Sequence, residues 1–205
     1  MKKVTQRVFK LELGGYSCNS FFIPSLNAIV DPGFSSKSVL EKELNQASSS
    51  IDAVERVFLT HAHYDHAFNL KYFPEASVFL HEIALRKLER NDESAFFSET
   101  SEKPFIPEKT FVFASSKEFN GVRAFYTPGH CEDASCFLFE DCFFAGDTIF
   151  VDSLPRIFMP GGKNFLLQSY ASLLKVNARV VCCGHNEEGE FKKELERSIS
   201  ELRLV

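Results

Sequence analysis

Four side chains of the kinds that bind metal ions stand within six residues of this sequence, in the segment His61-Ala62-His63-Tyr64-Asp65-His66. The segment directly follows the apolar run Val57-Phe58-Leu59, which predicts a strand. Proteins of the α/β class present side chains to a crevice at the ends of their strands. In an extended backbone alternate side chains share a face, so we expect His61 and His63 to point to the same side. The spacing predicts a metal site at the end of a strand.

The acid of this cluster, Asp65, has a second interpretation. The chain is predicted to form a helix over residues 67–73, and an aspartate shortly before a helix often caps it. A metal ligand and a helix cap are both compatible with the sequence at this position.

The rest of the chain alternates short apolar runs with amphipathic segments. Strands are predicted over residues 8–13, 19–23, 28–30, 54–59, 77–80, 110–113, 122–126, 135–139, 142–144 and 180–183. Helices are predicted over residues 82–90, 164–174 and 187–204, and over a segment that Ser35 or Ser36 caps and that ends near Gln46. Two stacked sheets with helices outside would bury these strands, but periodicity alone does not select that arrangement from other α/β folds.

Residues 91–109 differ from their surroundings. They contain Ser, Glu, Pro and Lys around Phe96, Phe97 and Phe105, without a clear period. We expect a long loop that forms a lid over the site, because loops of this length in compact domains are often functional. A disordered surface excursion is the alternative. The whole chain, residues 1–205, is otherwise expected to form one domain.

Composition limits the class of protein and its partners. Of the 205 residues 44% are hydrophobic and 25% charged, which is typical of a globular protein. The net charge of −5 argues against nucleic acid as a partner, since phosphate binding needs concentrated Lys and Arg. No apolar run has the length of a signal peptide or a membrane span, so we expect a cytoplasmic protein with no membrane partner. The six cysteines and 23 phenylalanines are expected in the core, the cysteines as free thiols.

Three later segments carry further ligand-type residues, each after an apolar run. They are Thr127-Pro128-Gly129-His130, Ala145-Gly146-Asp147-Thr148 and Cys183-Gly184-His185, and the turn Asp31-Pro32-Gly33 precedes all of them. In this order, with the HxHxDH cluster, the sequence resembles the metallo-β-lactamase superfamily over residues 8–185. The resemblance implies an α/β protein with the four-layer αββα sandwich of the metallo-β-lactamase fold.

The resemblance also implies a site for two divalent metal ions. His61, His63 and His130 would hold one ion, Asp65, His66 and His185 would hold the other, and Asp147 would bridge both. Imidazole and carboxylate ligands suit Zn²⁺, with Fe or Mn as alternatives. Water bound to such ions ionises near neutral pH, which fits the absence of a GxSxG serine motif.

Several residues near the motifs are expected to lie close to the metal ligands without being ligands themselves. Asp31 would orient a metal ligand through a hydrogen bond, or would only form a turn. Cys131, Cys182 and Cys183 are interpreted as buried thiols, because the ligand set is complete without them. His81 follows a strand and begins a helix, and we expect a surface residue or one that supports a ligand.

Within the superfamily, the sequence resembles the short members of the glyoxalase II type (hydroxyacylglutathione hydrolase-like). The segments Gly146–Phe150 and Pro155–Gly162 carry this resemblance, although Phe158 replaces the acid common there. It implies a binuclear hydrolase in which a metal-bridging hydroxide, oriented by the catalytic Asp65, attacks a small ester, thioester or similar substrate. Tyr64, Arg156 and Lys163 are candidates for binding an anionic substrate; solvated or structural roles are the alternative. Full-length glyoxalase II has a helical domain where this chain has about one helix, so glutathione is not assigned.

Three other functions stay open. An iron-dependent oxidoreductase of the persulfide dioxygenase type would use one metal on the same fold. A phosphodiesterase or nuclease of the superfamily is disfavoured by the acidic net charge. A binding protein with a relic site would not need a complete ligand set. The sequence leaves the oligomeric state undecided.

Overall fold

The structure is a computed structural model that describes residues 1–100 and 102–204, with the backbone alone of Glu99. The chain divides into two compact units, Met1–Val112 and Phe113–Val205. Each unit is built around one mixed sheet. Within the described residues, no helix is long and apolar enough to cross a membrane.

The first unit contains a seven-stranded sheet whose spatial order follows the chain. Its strands are β1 (Lys2–Lys3), β2 (Phe9–Leu11), β3 (Ser20–Ile23), β4 (Ala28–Val30), β5 (Arg56–Phe58), β6 (Ser77–His81) and β7 (Thr110–Phe113). Its helices are α1 (Lys37–Gln46), α2 (Tyr64–Ala67) and α3 (Glu82–Arg90). Neighbouring strands from β1 to β4 are antiparallel, whereas β4, β5 and β6 run parallel.

The parallel strands place three polar residues at one edge of this sheet. Ile29 pairs with Val57, which pairs with Val78, and all three side chains are buried. Apolar residues of this size each stabilise the fold by about 1.5–3 kcal/mol when buried. Because the three strands run in the same direction, the residues at their carboxyl ends, Asp31, His61 and His81, emerge at the same edge.

The second unit contains a six-stranded sheet. In chain order its strands are β8 (Lys117–Phe119), β9 (Val122–Tyr126), β10 (Ser135–Phe139), β11 (Cys142–Gly146), β12 (Val180–Cys183) and β13 (Gly189–Glu190), with helices α4 (Lys163–Leu173) and α5 (Phe191–Leu204). The spatial order is β13-β12-β11-β10-β9-β8. Strand β11 is antiparallel to β10 and parallel to β12, and β10 is antiparallel to β9. Strands β9, β11 and β12 therefore share a direction, and their carboxyl ends lead to His130, Asp147 and His185.

Two helix predictions are wrong in part. The last helix begins at Phe191, because Gly189–Glu190 pairs with β12 instead. This strand also packs closely against its surroundings, since a Cβ on Gly189 would lie 2.7 Å from Val151 Cγ2. The helix predicted over residues 67–73 is displaced: α2 begins at Tyr64 and a 3-10 helix, Phe68–Tyr72, continues it. Asp65 therefore lies inside the first turn and does not cap the helix.

The predicted core composition is confirmed. Fourteen of the 23 phenylalanines are buried, and all six cysteines are buried free thiols. The cap of α1 is also confirmed, since the Ser36 hydroxyl accepts a hydrogen bond from the Val39 N–H at 3.4 Å. The surface interpretation of His81 is wrong: its side chain is buried, and its Nδ1 accepts from the Ile83 N–H to cap α3.

Candidate metal centre

The seven predicted metal ligands fall into two groups, one in each unit. The first unit contributes His61, His63, Asp65 and His66, and the second contributes His130, Asp147 and His185. Each group follows the carboxyl ends of strands in the sheet of its own unit.

His61 and His63 present ring nitrogens to each other. The distance from His61 Nε2 to His63 Nδ1 is 3.0 Å, and both side chains are buried. Their ring planes are 76° apart, so the rings meet edge to face rather than stacked. The turn between β5 and α2 produces this geometry, because it brings two alternate residues to one side.

Asp31 holds the far side of His66. Its Oδ2 lies 2.9 Å from His66 Nδ1 and accepts from the Thr60 hydroxyl at 2.7 Å, while its Oδ1 accepts from the Thr60 N–H at 2.8 Å. Asp31 is buried and has a left-handed backbone, with φ of 52°. A side chain with both oxygens bonded inside the fold does more than form a turn.

These hydrogen bonds assign the tautomers of two histidines. A carboxylate only accepts, so the hydrogen between Asp31 and His66 belongs to His66 Nδ1. The Thr60 hydroxyl gives its hydrogen to Asp31, so Thr60 Oγ1 accepts from His61 Nδ1 at 3.0 Å. When these two rings are neutral, Nε2 is then the unprotonated nitrogen of each, which is the form of imidazole that binds metal ions.

Asp65 lies beside that nitrogen of His66. Its Oδ2 is 3.8 Å from His66 Nε2, and its side chain is partly exposed. Its backbone carbonyl accepts from the Cys18 N–H at 3.2 Å, which attaches the segment before β3 to the start of α2.

In the second unit two histidines converge on one carboxylate oxygen. Asp147 Oδ2 lies 3.5 Å from His130 Nε2 and 3.7 Å from His185 Nε2. Two ligands of one tetrahedral ion at about 2.0–2.2 Å are about 3.3–3.6 Å apart, so these distances suit oxygen and nitrogen atoms that share cations. His130 Nδ1 donates to the Arg156 carbonyl at 2.7 Å, which again leaves Nε2 as the unprotonated nitrogen.

The segment after β11 fixes the backbone of His130. The Phe158 N–H donates to the His130 carbonyl at 2.7 Å, and the Gly162 N–H donates to the Gly129 carbonyl at 2.9 Å. A Cβ on Gly161 would clash with the Gly129 carbonyl oxygen, so only glycine allows this approach. The phenylalanine that replaces the common acid, Phe158, sets its ring edge to face against His130, with centroids 5.3 Å apart.

The three candidate substrate residues occupy different surroundings. Tyr64 begins α2 and packs its ring against Phe34, with centroids 5.4 Å apart. Arg156 has an exposed side chain, and its contact with His130 is through the backbone carbonyl. Lys163 is the first residue of α4.

Part of the predicted lid contacts the first group. Phe96 has a left-handed backbone, with φ of 59°, and its ring meets the His63 ring edge to face at 5.1 Å between centroids. Its chain neighbours Ala95 and Phe97 are buried. Two 3-10 helices, Glu93–Ala95 and Phe97–Glu99, flank Phe96, and Ser101 lies outside the described residues.

Sequence reasoning assigned no site role to Thr60 or Cys18, and it named Phe96 only as part of the expected lid. The Cys18 sulfur lies within 4.8 Å of a carboxylate oxygen of Asp31 and a ring nitrogen of His66. Burial raises the pKa of the Cys18 thiol to about 12, so it is protonated at neutral pH. Thr60 and Cys18 belong to no ligand motif, because each joins the site through contacts that only the folded chain creates.

Two mixed sheets flanked by helices, with ligand-type side chains at their carboxyl edges, match one known family. The Metallo-beta-lactamase superfamily profile matches residues 13–185, and the chain belongs to this superfamily. The predicted fold class, α/β with the metallo-β-lactamase fold, is confirmed.

Several proteins resemble the chain along most of its length. A probable metallo-hydrolase, MJ0888 of Methanocaldococcus jannaschii, is 26% identical over 89% of this chain and 94% of its own. The metallo-beta-lactamase family protein TTHA1429 from Thermus thermophilus superposes with a TM-score of 0.78 at 20% identity, over 98% of this chain and 81% of that one. The protein TTHA1623, solved in a di-iron-bound form, superposes with a TM-score of 0.76 at 24% identity, over 92% and 96%.

Proposed function

We propose that this protein is a binuclear metal-dependent hydrolase of small esters, thioesters or similar carbonyl compounds. The assigned tautomers of His61, His66 and His130 carry the proposal. In each ring Nδ1 donates to an oxygen of the protein, and Nε2 is left as a metal-binding nitrogen. Family membership and the probable metallo-hydrolase activity of the archaeal relative support the same conclusion.

The donor set fits two divalent cations. His61, His63 and His130 would hold one, Asp65, His66 and His185 would hold the other, and Asp147 would be shared. Five imidazoles and two carboxylates suit Zn²⁺ best, with Fe or Mn as alternatives. When bound, the cations would make water ionise near neutral pH and stabilise charge on a carbonyl oxygen.

The chain's own residues supply orientation. Asp65 is the more exposed of the two carboxylates and orients the attacking water. The water oxygen then bonds to the carbonyl carbon, the bond from that carbon to the leaving oxygen or sulfur breaks, and the leaving group receives a proton. Water attacks directly, so no seryl intermediate is required.

A small substrate with an apolar part suits the segment that holds His130. Ile157 and Met159 are exposed there, on either side of Phe158 in the chain, and Phe165 is exposed at the start of α4. Arg156 and Lys163 stand at the two ends of this segment and are suited to an anionic group. A glyoxalase II-like thioester is one substrate with both properties.

The test begins with metal quantification of the purified protein. The protein is then stripped with a chelator, reloaded with Zn²⁺, Fe²⁺ or Mn²⁺, and assayed on thioesters, lactones and phosphodiesters. We expect two cations per chain and turnover of a carbonyl substrate that depends on reloading. A protein that binds no cation under these conditions would contradict the proposal.

The same assays separate the alternative activities. Turnover confined to phosphodiesters would favour the phosphodiesterase. Oxygen consumption with a persulfide and one bound iron would favour the iron-dependent oxidoreductase.

A further inference from the structure

A partly buried ion pair on α5 bonds to the loop that follows Asp147. Arg197 Nε lies 2.8 Å from Glu194 Oε2, and the Glu194 side chain is 1% exposed. Arg197 also donates from Nη1 to Glu201 Oε2 at 2.6 Å. Charges removed from water are costly unless further hydrogen bonds satisfy them, so the other partners of this pair matter.

Lys193 Nζ lies 3.3 Å from Glu194 Oε1, and the remaining partners include backbone groups of residues 150–153. Arg197 Nη2 donates to the Phe150 carbonyl at 2.7 Å and to the Ser153 carbonyl at 2.8 Å. Glu194 Oε2 accepts from the Asp152 N–H at 3.2 Å, and Asp152 has a left-handed backbone, with φ of 55°. A non-glycine residue keeps that conformation where its surroundings enforce it. The ion pair therefore sets the shape of this loop.

The loop in turn contacts His185. The Phe150 ring stacks on the His185 ring, with centroids 6.2 Å apart and planes 27° apart. The His185 side chain is 37% exposed, whereas that of His130 is 2% exposed. A less enclosed ring depends more on each neighbour that restrains it, and Phe150 is one of these neighbours.

His130 is held by other means. Its Nδ1 and its backbone carbonyl bond to Arg156 and Phe158, neither of which touches the ion pair through a hydrogen bond among the described residues. A change at the ion pair therefore reaches the two histidines of this unit unequally.

We infer that Arg197, together with Glu194, is a positioning residue that orients His185 through Phe150. It thereby raises the affinity for the cation that His185 binds and leaves the affinity for the other cation unchanged. The inference rests on the proposed binuclear function. It assigns to α5 a role in metal binding, although α5 contains no ligand.

The test compares the two cation affinities of the full chain. The double variant Glu194→Met and Arg197→Met removes both charges of the pair and keeps apolar volume, which often preserves folding. Zn²⁺ binding is measured by competition with a chromophoric chelator, and His185→Ala identifies the cation that depends on this ligand. Removing a residue that orients a metal ligand weakens metal affinity about 10- to 100-fold. We expect a decrease of this size in the affinity for the cation that His185 binds, and no decrease for the other cation.

Two further variants keep the test decisive. Phe150→Leu leaves the ion pair intact and removes the ring stacking, and we expect the same selective loss; it carries the test if the double variant does not fold. Arg179→Met removes an exposed ion pair with Asp141 elsewhere in this unit, and we expect no change in either affinity.

The outcomes separate the inference from the function on which it rests. Equal weakening of both cations would indicate a merely structural ion pair, and unchanged affinities in a folded variant would exclude any role; either result overturns the inference. If the wild-type protein binds no cation, the proposed function itself fails. If the wild type binds two cations and the variants do not discriminate between them, only the inference fails.

Discussion

Asp31 Oδ2 lies 2.9 Å from His66 Nδ1, and this contact determines which ring nitrogen of His66 faces Asp65. The carboxylate comes from the end of β4 and the imidazole from α2, 35 positions apart in the chain. Parallel pairing of β4 with β5 brings them together.

We expect Asp31→Asn to weaken cation binding. Asp31 Oδ1 accepts from the Thr60 N–H, and Oδ2 accepts from the Thr60 hydroxyl and from His66 Nδ1. An amide has one acceptor oxygen and an NH₂ donor, so at least one of these three donors would lose its acceptor. Losses of this kind reduce metal affinity about 10- to 100-fold. Chelator competition measures the change, and Asp52→Asn, an exposed acid in the same unit, is the matched control. An unchanged affinity in Asp31→Asn would contradict the tautomer assigned to His66.

Removing a ligand should abolish turnover without unfolding the chain. We expect His63→Ala and Asp147→Ala each to lose activity and at least one bound cation, with a circular dichroism spectrum like that of the wild type. His81→Asn is the control, because His81 lies outside both groups and asparagine also caps helices well. Full activity in either ligand variant would refute the assigned roles.

Gly161→Ala should destabilise the second unit. Its Cβ would lie 2.9 Å or less from three backbone carbonyl oxygens, and backbone atoms have little freedom to move away. Overpacking of this kind costs about 1–3 kcal/mol in the free energy of unfolding. Gly162→Ala is the neighbouring control, since its Cβ would meet only the Phe165 ring, at 3.3 Å. Urea denaturation of both variants checks the prediction, and equal stability would contradict it.

Acid should unfold the protein in part through Glu194. Burial alone would raise the pKa of Glu194, but hydrogen bonds from Arg197, from the Asp152 backbone and from Lys193 outweigh burial and lower it. A carboxyl whose pKa falls on folding stabilises the folded state above its unfolded pKa, and that contribution is lost as pH falls through the folded value. We therefore expect stability to decline below about pH 4.5, the ordinary value.

Denaturation curves at several pH values, for the wild type and for Glu194→Gln, measure this effect. The variant has no titrating group at this position, so its free energy of unfolding should fall less steeply below that pH. Parallel pH dependences in the two proteins would show that Glu194 does not contribute.

The fold was predictable where local pattern and tertiary packing agree. Helix α3 begins and ends where its amphipathic pattern predicts, because a histidine cap and an asparagine in the left-handed conformation stop it at both ends. Strand β13 was not predictable, since its two residues become a strand only by pairing with β12. The start of α2 at Tyr64 likewise depends on how the preceding turn packs.

The residues of the candidate site that were predictable are those whose side chains belong to a recognisable sequence motif. The imidazoles and carboxylates stand in short sequence patterns after apolar strands. His130 Nδ1, in contrast, donates to the backbone carbonyl of Arg156. Every residue type has a backbone carbonyl, so no sequence pattern predicts this contact. The contact of Arg197 with Phe150 spans 47 positions and follows from the packing of α5, which periodicity does not specify.

The shared direction of β9, β11 and β12 has a practical consequence for engineering. Their amino ends, and hence the tight turns at Asn120-Gly121 and Glu140-Asp141, lie at the margin of the sheet opposite to His130, Asp147 and His185. Peptide tags or surface anchors inserted in those turns would lie away from the margin that carries these three residues.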